Sequence, residues 1–106
     1  MKRLFLSSLL AVALPAMAAT PTFNLTIKDH RFQPSELTLP AQQKVKLVVS
    51  NEDASPEEFE GEDFDVERII PGNTSATLHV GPFKPGRYEF MGEFNEDTAQ
   101  GVLIVE

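Results

Sequence analysis

From residue 23 to residue 105, apolar side chains recur at every second position in short runs, and most runs stop at Pro, Gly or Asn. A two-residue period marks half-buried strands, because successive side chains on a strand point to opposite faces. Phe23, Leu25 and Ile27 alternate with Asn24, Thr26 and Lys28. Phe32 and Pro34 punctuate the turn into Leu37 and Leu39, and Val45, Leu47 and Val49 form a third run. Residues 51–56 read as a loop, after which Phe59, Phe64 and Val66 are apolar islands in an acidic stretch leading to Ile69 and Ile70. Pro71-Gly72-Asn73 is a tight turn. Ala76, Leu78 and Val80 make the next inward face and turn Thr77 and His79 outward. Tyr88 and Phe90 then oppose Glu89 and Met91, and residues 102–105 close the sheet. A helical turn fits residues 95–99, but no segment carries a sustained helical period. The expectation is an all-β antiparallel sandwich of about seven to eight strands.

The first residues follow a different logic. Lys2 and Arg3 precede an apolar run from Leu4 to Leu14 broken only by Ser7 and Ser8, and Ala16-Met17-Ala18 is a small-x-small cleavage site. This is the pattern of a secretion signal, expected over residues 1–19, with one domain over residues 20–106. The run is too short for a lasting membrane span, which takes about 20 apolar residues. The expected location is the periplasm, with no membrane-embedded part.

Small secreted domains often rely on disulfides, but this chain has no Cys, so its sheets must hold by packing alone. The same absence excludes thiolate chemistry: type-1 copper, thiolate zinc and Cys nucleophiles. Neither His lies in a motif with a nucleophile, which speaks against a hydrolase. Without the signal the chain carries seven basic and sixteen acidic residues, a formal charge of −9. That balance disfavours nucleic acid and draws cations.

The order of these signals resembles the cupredoxins. The segment from Phe23 to Asp53 carries a strand, F-x-P (residues 32–34), L-x-L-P-A (residues 37–41) and an alternating strand ending in Asn51. The C-terminal part carries P-G-x-Y-x-F (residues 85–90) and a closing G-x-L-x-V (residues 101–105). The resemblance implies a Greek-key β-sandwich. It also implies that the copper ligands are gone. Gly92 stands at the Cys position, Asn95 at a His, Ala99 at the axial Met, and Glu57 and Glu58 where the first His is presented. The "EEFE" run and the Y-x-F-x-G-E-F-x-E-D-T-A-x-G pattern (residues 88–101) resemble a narrower group, the small periplasmic proteins associated with bacterial ferrous-iron permease systems. That likeness implies an iron or copper ion, handled on the way to an inner-membrane iron permease or another periplasmic uptake component. Oxidation of Fe(II) is proposed for that group, and within it a His is expected where this chain has Asn95.

Carboxylates suit hard or borderline cations such as iron and manganese. Seven acids fall within residues 57–67, and Glu57 and Glu58 head the candidate ligands. Glu93, Glu96 and Asn95 follow from the loop that replaces the Cys-to-Met segment, with Asp97 behind them. Met91 is a soft candidate alternating outward with Glu89 and Glu93, and His30 is a candidate in the turn after the first strand. A plainer reading of the same acids is a solvated face and a capped turn. Two rival functions accompany iron handling: a metal-free interaction module whose acidic face docks on a partner, and a Cu(II) carrier using His30 and carboxylates.

Adding Cu(II) is expected to give no intense blue absorption, because no thiolate exists to donate charge to the metal. Visible spectra of the Cu(II)-loaded protein check this.

Overall fold

The computed structural model describes residues 19–106, so the expected secretion segment, apart from Ala19, lies outside the described residues. Nine strands follow in order: β1 (Thr22–Lys28), β2 (Arg31–Gln33), β3 (Glu36–Leu39), β4 (Val45–Asn51), β5 (Glu57–Gly61), β6 (Val66–Ile70), β7 (Thr74–Val80), β8 (Gly86–Gly92) and β9 (Gln100–Val105). One sheet runs β2-β1-β4-β7 and the other β3-β9-β8-β5-β6. The all-β sandwich is as expected, with strands beyond the seven or eight anticipated. β2 has three residues, too few to show an alternation. The acidic stretch, read as holding apolar islands at Phe59, Phe64 and Val66, is the hairpin β5–β6. Among the described residues five ladders are antiparallel, while β1–β4 and β3–β9 are parallel.

The alternation decides which side of each strand is buried. Leu25 and Ile27 of β1, Val45, Leu47 and Val49 of β4, and Ala76, Leu78 and Val80 of β7 are buried on the inner face of the first sheet. Facing them are Leu39, Phe59, Phe90, Leu103 and Val105 of the second. Phe59 lies stacked on Phe90 at 5.3 Å between ring centroids, and Phe32 meets both rings edge-on at 5.9 and 4.9 Å. Such offset and edge-to-face pairs follow the quadrupole of the rings and add to the burial of their area. Gly101 makes room for this group, since a Cβ there would fall 2.2 Å from the Phe90 ring.

Two polar knots fix the loops at the end of the sandwich that carries residues 29–30, 51–56 and 92–99. Asp29 and His30 both have positive φ, 52° and 56°, as the tight two-residue turn between β1 and β2 requires. The Asp53 carboxylate accepts from both of their backbone N–H groups, at 2.8 and 3.0 Å. The bond from His30 is the chief reason its pKa is lowered. Buried Asn51 accepts from Asp53 N at 3.0 Å, and its Nδ2 donates to the carbonyls of Ser55 and Ile70 at 2.9 and 3.1 Å. Asn51 thereby ties the loop before β5 to the end of β6.

Phe59 is the centre of the aromatic group and is fully buried. Phe59→Ala is expected to cost about 3–5 kcal/mol of stability, the usual range for emptying an aromatic site in a core. Urea unfolding of the variant beside the wild type measures it.

Candidate metal centre

β5 sends neighbouring residues to opposite faces, and this separates the two glutamates that head it. Phe59 of β5 is paired with Gly92 of β8, and Glu60 with Met91, and on the other edge Glu58 pairs with Ile69 and Glu60 with Glu67 of β6. Paired residues share a face. Glu57, Phe59 and Gly92 therefore point into the sandwich, while Glu58, Glu60, Glu67 and Met91 lie on the outer face of the sheet.

Glu57 is only 2% exposed and fills the end of the core. Its Oε1 accepts from the backbone N–H of Phe94 at 2.9 Å and of Glu58 at 3.1 Å, and its Oε2 accepts from Asn95 Nδ2 at 2.6 Å. A Cβ on Gly92 would fall 2.6 Å from the Glu57 carboxyl carbon and 2.7 Å from the Ala99 Cβ. The positions that the resemblance assigns to copper ligands thus do converge, but on a carboxylate and an amide that hydrogen-bond each other. A cysteine side chain has no room at residue 92, and a type-1 copper ion does not fit this donor set.

On the outer face a different group assembles. Carboxylate oxygens of Glu58, Glu60 and Glu93 lie within 4.8 Å of one another. Oxygens across a six-coordinate divalent ion stand about 4–5 Å apart, so one ion could bridge all three without movement of the strands. Glu58 is 8% exposed, and its Oε1 has no hydrogen-bond partner. Its carboxyl neighbours are those of Glu67 and Glu93, and two carboxyl groups can bond only through a shared proton. That sharing with Glu67 first and Glu93 second, together with desolvation and like charge, pushes the Glu58 pKa up to about 8. Glu60 is also raised, by desolvation first and then by Glu93 and Glu67. Glu60 and Glu67 oppose each other directly across the ladder, an arrangement that like charges disfavour.

The other candidates occupy distinct places. Met91 lines a small hollow with Glu60, Glu62, Asp63 and Glu89, on the same face as the carboxylate group. His30 lies in an open hollow at the end of the sandwich with Asn95, Glu96 and Asp97, and its Nε2 is 3.4 Å from Ser55 Oγ. The fold therefore brings Glu58 and Glu93 together with Glu60, puts Met91 beside Glu60, and leaves Glu57, Asn95, Glu96 and His30 outside the group. Glu60 and Glu67 were absent from the sequence candidates. The alternation in "EEFE" was the available signal for Glu60, since residues 58 and 60 share a face of any strand.

An all-β two-sheet sandwich with a Glu–Asn pair where the resemblance places copper ligands, and with no thiolate, is a cupredoxin fold without a blue-copper centre. The chain belongs to the Cupredoxin-like domain family, which it matches over residues 2–105. It is 43% identical over 81 residues to the "Uncharacterized protein RP394" of Rickettsia prowazekii (strain Madrid E), an alignment covering 76% of this chain and 65% of that protein's length. Among solved structures it is similar to auracyanin A, a "blue" copper protein from Chloroflexus aurantiacus, with a TM-score of 0.69 and 17% identity over 83% of this chain and 100% of that one. It is likewise similar to the metal-binding domain of the Streptococcus pneumoniae Cu(I)-exporting ATPase CopA, with a TM-score of 0.68 and 14% identity over 80% of this chain and 84% of that one. At these identities the likeness speaks for the fold.

The raised carboxyls carry a consequence for stability. Glu58 titrates near 4.5 in an unfolded chain and near 8 here, so between those values the folded state holds a proton that the unfolded state lacks. The stability this contributes is fully present below pH 4.5 and is lost as pH rises through about 8. The Asp53 shift has the opposite sign and acts below the ordinary aspartate range, outside that window. The melting midpoint of the metal-free protein is expected to fall from about pH 6 to about pH 9. Glu58→Gln, which mimics the neutral carboxyl, is expected to flatten the slope. Melting curves in chelator across this range test it, and a midpoint that climbs with pH would contradict it.

Proposed function

We propose that this protein is a periplasmic metal carrier that takes a divalent transition metal, Fe(II) first, on the outer carboxylate face and passes it to an inner-membrane permease or another component of an uptake system. One observation carries the reading: Glu58 is buried with an unpartnered oxygen among carboxylates whose mutual repulsion only a proton or a cation relieves. Oxygen donors favour hard and borderline cations, and the thioether of Met91 beside Glu60 adds a soft donor that favours a transition metal over magnesium or calcium. The secretion-signal pattern and the resemblance of residues 88–101 support the location and the iron role.

Interaction is the second reading, and a specific feature favours it. Ile69 and Phe94, large apolar residues 55% and 50% exposed, stand next to Glu58 in the ladder and next to Glu93 in the chain. A docking module would bury them against a partner whether or not a metal is bound.

Anaerobic calorimetry and melting curves with Fe(II) and Mn(II) separate the two. Metal at a hundredfold excess over its dissociation constant stabilises the folded state by about 2.7 kcal/mol, on the order of 10 °C for a domain of this size. Glu58→Gln and Glu93→Gln are each expected to weaken binding by about tenfold or more. A wild-type midpoint unmoved by either metal at matched ionic strength would remove the carrier reading and leave the docking module.

A further inference from the structure

We infer that Glu57, together with Asn95, is a positioning residue that sets the spacing of the carboxylate centre from the opposite face of the sheet; the inference rests on the metal-binding reading above. The β5–β8 ladder pairs Phe59 with Gly92 and Glu60 with Met91, and no pair beyond Gly92 is formed. Continued by one step, it would set Glu58 against Glu93, the two ligand residues that come from different parts of the chain. At that point the strand of β8 gives way to the short 3₁₀ turn of residues 93–95, so backbone pairing no longer fixes their separation.

Glu57 takes over that task. Its Oε1 accepts from the N–H of Glu58 and from the N–H of Phe94, which belongs to the peptide unit that Glu93 begins. One oxygen atom thus holds the backbone of both ligand residues. Its Oε2 is held by Asn95, whose own carbonyl accepts from Ala99 N at 2.8 Å, while the Ala99 carbonyl accepts from Gly92 N at 2.8 Å. These bonds close residues 92–99 into a ring with the Glu57 carboxylate at its base. The groups that sit where the fold family keeps its copper ligands have become the support for a centre on the other side of the sheet.

A ligand and a support respond differently to amide replacement. Glu57→Gln keeps Oε1 for both backbone donors, and Asn95, whose Nδ2 donates to Oε2 in the wild type, can turn its amide over so that Oδ1 accepts from the new Nε2. Mn(II) affinity of Glu57→Gln is therefore expected within about threefold of wild type, whereas Glu57→Ala is expected to weaken it by about tenfold or more. The electron paramagnetic resonance spectrum of bound Mn(II) is expected to change in Glu57→Ala and not in Glu57→Gln. A core variant such as Leu78→Ala, which lowers the melting midpoint far from the centre, controls for stability alone and is expected to keep wild-type affinity. If Glu57→Ala does not fold, Asn95→Ala takes its place, with an expected loss of about threefold or more.

Loss of binding in Glu57→Gln equal to that in Glu58→Gln would make Glu57 a ligand and overturn the inference. Wild-type affinity in Glu57→Ala, or in Asn95→Ala where that variant stands in, would overturn it as well. A wild-type protein that binds no Mn(II) or Fe(II) would instead remove the metal reading itself, an outcome distinct from either.

Discussion

A carboxylate in a dry protein interior persists only where hydrogen-bond donors replace the water it has lost, and Glu57 is given three of them. The rest of the sandwich end depends on that arrangement. The backbone donors come from β5 itself and from the turn after β8, so the carboxylate joins two segments that strand pairing has stopped joining. Asn95 brings the third donor and is anchored through its carbonyl to the return of the chain into β9. Gly92 and Ala99 contribute by being small: any larger side chain at residue 92 would displace the carboxylate.

The aromatic group inside and the acids outside are two sides of one sheet. Phe59 and Phe90 are buried because strand alternation turns them inward, and the same alternation turns Glu58, Glu60 and Glu67 outward. Phe32, contributed by the first sheet, closes the aromatic group edge-on, so β5 and β8 rest on a well-packed floor. Carboxylates projecting from paired strands over such a floor cannot easily move apart. Their repulsion is then relieved by protons, which is why Glu58 is raised, or by a cation.

Glu57 and Gly92, at positions that the resemblance assigns to copper ligands, therefore lie on the opposite face of the sheet from the free carboxylates. At the end of the sandwich, Glu57 and Asn95 offer only oxygen and nitrogen donors, and these satisfy one another. The available donors lie on the outer sheet face, where they are oxygen-rich with a thioether beside them. The metal proposed for this face would be held there by charge and oxygen count. The exposed apolar residues Ile69 and Phe94 lie next to Glu58 in the ladder and next to Glu93 in the chain.

Much of the architecture was written in residue order, because side-chain alternation and turn residues act locally. The inward runs of β1, β4, β7 and β9, the turn at residues 71–73 and the cupredoxin order of motifs all follow from neighbouring residues, and so does the exclusion of type-1 copper in a chain without Cys. The site was legible only in part. Glu57 and Glu58 are adjacent and chemically identical, and Phe59 points to Glu57 as the inward one only once residues 57–61 are known to form a strand, which the acidic run hides. The register against Gly92 and Ile70 decides that, and with it which glutamate is sealed in hydrogen bonds and which meets other acids. Glu60, Glu67 and Glu93 meet Glu58 because two antiparallel ladders flank β5, a long-range pairing that local sequence does not encode. The alternation determined that a sandwich would form; the lateral pairing of its strands decided where the charge would gather.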